Sequence, residues 1–536
     1  MKSLLLGNEA LAQGSIDAGL SGVYAYPGTP STEITEYIQK SKLARELKIH
    51  TTWSVNEKTA MEAALGMSYV GKRAMVVMKH VGLNVASDVF MNMAVSGVNG
   101  GLVVVVADDP SMHSSQNEQD SRFYGKFAMI PILEPSNQQE AYDMMFYAFD
   151  LSEELKLPVL LRLVTRLSHS RAGIEIRERR NPNEINLPLD TSRFALLPMN
   201  ARKQYDLLVN KQDSLIEHSQ NSNLNRLKKG KKGGVGIITC GIAYNYVMEN
   251  LGEDESHSIL KISQYPLPKE KVKELYDHCE KILVVEDGYT IVEELLHNYF
   301  DDNDKIKGKL SGDLPRTGEL NPNIVGKSLG LFQEKLASIP SVVTPRPPQL
   351  CEGCGHIDLF NTINELIPEI GDKNVFGDIG CYALGALPPL GTINTLIDMG
   401  ASITMAKGAA DAGMENAIAV IGDSTFTHSG MTGLLDAVYE STPITIIISD
   451  NSAVAMTGAQ ESTAVGRLHK ICLGIGVHPD HLKTIVPLKK NHEENVELLR
   501  NELKYKGVSV IISERPCVRL SRDQKEVIKA KIAALN

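Results

Sequence analysis

The stretch from Ala417 to Asn451 limits what this chain can fold into more than any other. An apolar run, Ala417 to Ile421, ends in Gly422-Asp423-Ser424, and a helical stretch follows from about His428 to Glu440. A second, β-branched run, Ile444 to Ile448, then ends in Asp450-Asn451. Strand, helix, strand in that order is a crossover unit, and a crossover makes its two strands parallel. Parallel strands present their carboxyl ends at one edge, so Asp423 and Asn451 are predicted where open α/β sheets bind ligands. A carboxylate and a side-chain amide are hard oxygen donors suited to Mg²⁺. That ion takes one or two protein oxygens and completes its shell with phosphate oxygens and water. The expected occupant is a metal ion carrying a diphosphate. The alternative is a Rossmann-like unit whose Gly-Asp only makes a turn.

The rest of the chain reads as further units of the same α/β kind. Residues 1–190 form a first predicted domain. Its elements are a helix from Leu4 to Ala18, a short strand Gly22 to Tyr26 halted by Pro27-Gly28-Thr29-Pro30, and a helix from Glu57 to Tyr69. The strand Ala74 to Met78 runs into a loop, Lys79 to Asn84, and the nearly all-valine run Leu102 to Ala107 reads as a strand covered on both faces. Periodicity fails over 191–232, a polar stretch with the lysine run Lys228 to Lys232, which is expected to be a linker. A second domain spans 233–337, with strands Val235 to Cys240, Ile259 to Ile262 and Ile282 to Glu286. The proline-rich 338–349 is an extended linker, and a third domain, 350–536, holds the opening motif. The fold class is therefore α/β, with three parallel-sheet domains.

Composition narrows the function. A net charge of −10, with no basic patch interleaved with aromatics, argues against a nucleic-acid partner. No apolar run approaches the roughly 18 residues of a membrane span, and the start, MKSLLLGNEALAQG, has too short an apolar core for a signal peptide. Seven cysteines in 536 residues do not make a disulfide scaffold and point to a reducing, cytoplasmic setting and a possible metal site. Cys351-x-x-Cys354 opens the third domain, Cys381 follows Gly377-Asp378-Ile379-Gly380, and Cys517 follows Arg515-Pro516. Four thiolates can surround one iron–sulfur cluster, or hold a structural zinc in tetrahedral geometry. Cys240, Cys279 and Cys472 read as ordinary buried thiols.

Gly-Asp, a helix, and Asn some thirty residues later resembles the diphosphate-binding signature of thiamine diphosphate enzymes. Wrapped in these cysteines, it resembles the 2-oxoacid:ferredoxin oxidoreductases, and within them the alpha subunits of indolepyruvate:ferredoxin oxidoreductases. The stretches that carry this run through nearly the whole chain in the family's order: Tyr26 to Pro30, Met78 to Asn84, Asp108 to Arg122, Arg346 to Cys351, and Ala455 to Gly458.

The resemblance implies Asp423, Asn451 and the Ala453 carbonyl as Mg²⁺ ligands, and Gly82, Asn84, Gly422, Ser424 and Thr457 as further cofactor contacts. It implies Glu57 as the carboxylate against the thiamine pyrimidine, although a first-turn glutamate is also favoured by the helix dipole alone. Thr29 is implied at the substrate carboxylate. His80 and His113 are candidate proton donors or carboxylate partners. Met456 stands where pyruvate-specific relatives carry Asn, and a flexible apolar side chain there suits a larger aryl group. Cys351, Cys354, Cys381 and Cys517 would hold one 4Fe-4S cluster. The implied reaction is oxidative decarboxylation of an arylpyruvate with coenzyme A to aryl-acetyl-CoA. Electrons would pass to ferredoxin or another carrier, and a beta-type subunit would complete a dimer of heterodimers. Such alpha subunits usually end in a ferredoxin-like domain with repeated Cys-x-x-Cys-x-x-Cys; this sequence ends at Asn536 without one, so a single internal cluster is expected. The rival readings are a non-oxidative thiamine diphosphate decarboxylase or carboligase, and a non-catalytic partner subunit.

Overall fold

The computed structural model describes residues 2–252, 254–331, 339–344 and 346–535. It divides into two compact units, Met1–Ser338 and Ile339–Asn536. The amino-terminal unit holds two open sheets. The larger has seven strands in the order Gln264–Tyr265, Ile132–Leu133, Val159–Val164, Leu102–Asp108, Ala74–Lys79, Gly22–Ala25 and His50–Trp53. It is parallel except at one edge, where Gln264–Tyr265, from the far side of the 191–232 segment, pairs antiparallel with Ile132–Leu133. Leu102–Asp108 is buried along its whole length, as a central strand between two helical layers must be. The smaller sheet has five strands, Ile306–Lys307, Lys281–Val285, Val235–Cys240, Ser258–Ile262 and the antiparallel edge Arg226–Lys228.

Three local expectations give way. Leu4 to Ala18 is not one helix: Lys2–Leu6 is a strand paired antiparallel with Arg171–Glu175, and the helix is Gly7–Asp17. Three consecutive leucines suit either element, and a distant pairing partner decides between them. Lys79 closes its strand, and the expected loop behind it is a short helix, His80–Val85. The stretch 191–232, expected to be a linker, carries helices Pro198–Asn210 and Gln212–Asn221. Each buries only two side chains, Gln204 with Leu208 and Leu215 with Ser219, a stripe too narrow and too polar to read as periodic. The lysine run begins on the edge strand at Lys228. Of the proline-rich stretch, Ser338 and Pro345 lie outside the described residues, as does 332–337 at the end of the second predicted domain; the rest has no helix or strand.

The carboxy-terminal unit is built on one all-parallel sheet of six strands, in the order Thr395–Leu396, Val375–Gly377, Ala417–Gly422, Ile444–Asp450, Ser509–Glu514 and Leu482–Ile485. Four neighbouring strands of that sheet therefore end on a common edge. The chain leaving them carries, in turn, Cys381, Asp423, Asn451 and Cys517. The helix Gly355–Ile370 precedes the strand Val375–Gly377. A helix that feeds such a strand runs back against the sheet, which starts it at this same edge with Cys354 as its N-cap residue.

Candidate active site

On the carboxy-terminal edge, Asp423 opens a short α-turn, Asp423–Thr425, followed by a π-helical segment, Phe426–Gly430, and the helix Met431–Glu440. π-Helical insertions of this kind are found mostly at functional sites. Asp423 is 1% exposed and its Oδ2 has no hydrogen-bond partner. Burial, together with the nearby Asp450 carboxylate, holds its carboxyl well above the usual range. A buried carboxylate held up by a neighbouring carboxylate is stabilised in its charged form by a positive ion beside it. Asn451 bends its side chain back to accept the Ala453 N–H at 2.9 Å, and Ser452 between them sits in the left-handed region, φ 62°. Strain of that sort, of order 1 kcal/mol for a non-glycine residue, gathers at binding sites. The buried, unpartnered Asp423 oxygen and the Asn451 amide thus fit a hard divalent cation. Thr457 donates to Gln460 Oε1 at 2.6 Å, and Met456 beside it is 50% exposed.

All four cysteines line one cavity of about 270 Å³, together with His356, Asn451, Met456, Arg515 and Arg519. Among the described residues no three His, Cys, Asp or Glu side chains are placed to hold one metal ion, although the four thiols share this cavity. Burial and the neighbouring thiols push Cys381 up to about 11, and Cys354 rises for the same reasons. Thiols of this kind stay protonated until a metal centre binds them and displaces the protons.

The edge is cross-linked by residues that sequence reasoning did not single out. Arg515 Nη1 reaches Asp358 Oδ2 at 2.6 Å and the Pro487 carbonyl at 2.8 Å. A Cβ on Gly355 would lie 3.0 Å from the Arg515 Cδ, so this glycine packs closely against the arginine stem. The Cys517 N–H donates to the Asn451 carbonyl at 2.9 Å, which joins the thiol cavity directly to the predicted metal ligand. Tyr382, next to Cys381, lies against Gly422; a Cβ there would meet its ring at 2.7 Å. Its hydroxyl bonds Asp378, whose other oxygen accepts from Ser402 Oγ at 2.6 Å. His356 sits 3.2 Å from Cys354 Sγ through Nδ1, and burial pushes its imidazole down to about 4, so it is neutral. The glycines and the Arg-Pro-Cys order were the only sequence traces of this scaffold.

In the amino-terminal unit the candidates gather less completely. Glu57 is buried at the first turn of the helix Glu57–Tyr69, whose N-cap Asn56 accepts the Thr59 N–H at 2.9 Å. Gly82 lies against it: a Cβ on Gly82 would come within 2.5 Å of Glu57 Oε1. Lys79 joins this group, with Nζ donating to the Ser114 carbonyl at 2.7 Å and its stem against Gly28 of the Pro27–Thr29 turn. His80 is buried, with Nε2 3.1 Å from the Asn117 carbonyl and Nδ1 unpartnered. Asn84 is exposed and accepts the Tyr124 hydroxyl at 2.6 Å. His113 stands apart, half exposed and 3.3 Å from Glu319, which Arg166 also grips at 2.7 Å.

Two family models match this chain: pyruvate flavodoxin/ferredoxin oxidoreductase, thiamine diphosphate-binding, over residues 13–220, and the C-terminal thiamine pyrophosphate-binding domain of thiamine pyrophosphate enzymes over 378–511. The indolepyruvate oxidoreductase subunit IorA of Archaeoglobus fulgidus is 38% identical over 99% of this chain and 89% of its own length. The chain belongs to the IorA family. The IorA subunit of Methanothermobacter marburgensis is 39% identical over 96% of this chain and 86% of its own. A solved 2-oxoglutarate:ferredoxin oxidoreductase from Magnetococcus marinus aligns over 61% of this chain and 65% of its own, at 18% identity and a TM-score of 0.49. As an IorA-family member the chain is a subunit of a thiamine diphosphate-dependent 2-oxoacid oxidoreductase, with α/β cofactor domains as expected. Among the described residues no helix is long and apolar enough to cross a membrane.

Proposed function

We propose that this IorA-family chain oxidises arylpyruvates: the 2-oxoacid and coenzyme A give aryl-acetyl-CoA and CO₂, releasing two electrons and two protons. Cys351, Cys354, Cys381 and Cys517 would hold a 4Fe-4S cluster, which would supply one-electron transfer towards ferredoxin or a similar carrier. Asp423, Asn451 and the Ala453 carbonyl would hold Mg²⁺, which would supply the positive charge a diphosphate needs. When bound, thiamine diphosphate supplies the electron sink that decarboxylation needs, and the protein supplies orientation and charge. Glu57 holds the proton at the pyrimidine, and Thr29 meets the substrate. The enzyme acts in the cytoplasm with a beta-type subunit, as a dimer of heterodimers. The curated relatives are themselves named as subunits of an indolepyruvate oxidoreductase, which supports both the partner and the aryl substrate.

The observation that carries this reading is the single cavity that four thiols share with Asn451, one hydrogen bond from the metal motif. Four thiols on one cavity can hold a cluster with several irons, and the family match to 2-oxoacid oxidoreductases supports that reading over a structural zinc. Iron, acid-labile sulfide and zinc measured on anaerobically purified protein test it. About four irons and four sulfides per chain are expected, with phenylpyruvate- and coenzyme A-dependent reduction of a viologen dye. Zinc, or no metal beyond magnesium, would replace it with the non-oxidative decarboxylase.

A further inference from the structure

We propose that Lys79 is the cation that receives the carboxylate of the 2-oxoacid, an inference that rests on the proposed function. Lys79 is the last residue of the strand Ala74–Lys79 and pairs with Ala107 of Leu102–Asp108, which places it on the carboxyl edge of a parallel sheet. Lys79 is half-buried there, and desolvation pushes its ammonium down to about 8. Only the charges of Asp109 and Glu57 work against that loss. Neither is a direct partner: among the described residues Lys79 makes one hydrogen bond, to the Ser114 carbonyl at 2.7 Å. An ammonium carries three donors. Asp109 is already committed, accepting from the Ser114 N–H at 2.7 Å, Ser115 Oγ at 2.8 Å and Thr165 Oγ1 at 2.6 Å.

The surroundings say which anion would complete the ammonium. Glu57, the carboxylate assigned to the cofactor, is within electrostatic reach. On the other side Gly28 touches the lysine stem, since a Cβ there would lie 3.1 Å from both Cγ and Cδ. The next residue is Thr29, the hydroxyl assigned to the substrate. A small anion bound here meets an ammonium and a hydroxyl while lying beside the cofactor carboxylate. The carboxylate of a 2-oxoacid has that size and charge. The competing account is purely structural: Lys79 pins the loop through Ser114.

Substitution of Lys79 by Met separates the two. Binding of phenylpyruvate and of its uncharged methyl ester is measured by calorimetry on the full protein loaded with Mg²⁺ and an unreactive thiamine diphosphate analogue. The wild type is expected to prefer the acid. Lys79→Met should weaken the acid about 10- to 100-fold, the scale of one charge-assisted hydrogen bond, and leave the ester and the cofactor analogue unchanged. Lys79→Arg should restore part of the preference. Equal weakening of acid and ester would overturn the proposal in favour of loop pinning, and so would an unchanged acid affinity. A wild type that binds no arylpyruvate at all would defeat the proposed function along with it.

Discussion

The two units bury charge in opposite ways. In the amino-terminal unit Arg122 and Arg162, each at most 1% exposed, lie between the two sheets among carboxylates of both. Arg122 bonds Asp120 at 2.5 Å and Glu286 at 3.1 Å, while Arg162 bonds Asp108 and Glu134, each at 2.5 Å. Opposite charges answer each other there, within the chain. At the carboxy-terminal edge Asp423 faces Asp450, like against like, with one oxygen unpartnered, and four thiols surround a cavity. The first arrangement has its counter-charges in place and ties one sheet to the other, although burial still holds Asp108 and Glu286 above the usual range. The second is complete only when something positive joins it. Buried charge alone does not mark a site; buried charge with no counter-charge in the chain does.

The sharpest way to break that comparison is to remove one charge from each region. Asp423→Ala should abolish Mg²⁺-dependent thiamine diphosphate binding in calorimetry, and with it turnover, by about a thousandfold or more. It should leave the ligand-free protein about as stable as before, since the repulsion from Asp450 and the unpartnered oxygen are lost together with the hydrogen bonds from Ser462 and Ser424. Arg122→Met should cost the fold about 3–5 kcal/mol by stranding Asp120 and Glu286. Denaturant unfolding checks both, and an Asp423→Ala variant destabilised as much as Arg122→Met would remove the contrast between the two regions.

The cysteines allow a second comparison of smaller reach. Cys240 belongs to the ion network, 3.3 Å from Arg122 Nη1, and burial pushes its thiol beyond the titratable range. Cys381 belongs to the cavity. Cys381→Ser should lower the iron content and abolish viologen reduction while secondary structure, read by circular dichroism, is kept. Cys240→Ser should cost about 1 kcal/mol of stability and leave iron untouched. Normal electron transfer in Cys381→Ser would remove that residue from the cluster.

The difference between the regions also explains what could be read in the sequence. The shared edge of Asp423, Asn451 and the cysteines was legible because each lies at or within a few residues of a strand end or a helix start, and parallel topology converts sequence order into a common edge. Glu57 was legible for the same reason. The ion network was not: Arg122, Arg162 and Glu286 are scattered over three elements, and nothing in a charged residue's neighbours says that tertiary packing will bury it. Lys79 was hidden inside a stretch read as a loop. The strand Lys2–Leu6 and the two helices of 191–232 were missed because partners distant in sequence stabilise them, in place of their own periodicity.

The smallest effect bears on how complete the ion network is. Burial pushes Glu286 up to about 7 despite Arg122 and the N–H groups of Val292 and Glu293, each at 3.1 Å, and pushes Asp287 up to about 6. Unfolded, the Glu286 carboxyl returns to about 4.5. Between those values the folded state binds the extra proton, so its stability falls as pH rises, and the loss is complete above about 7. Asp120, held well below its ordinary value by Arg122 and Arg162, acts in the other sense, but its contribution is lost only in stronger acid. Wild-type stability should therefore decline from about pH 5 to about pH 8, and Glu286→Gln should flatten that decline. The stability difference between variant and wild type should move in the variant's favour by about 3 kcal/mol across the interval, at about 1.4 kcal/mol per pKa unit. A difference that stays constant with pH would show that Arg122 keeps Glu286 ionised throughout. The network would then be balanced by ion pairs alone, and its contrast with Asp423, held well above the usual range by burial and Asp450, would be greater still.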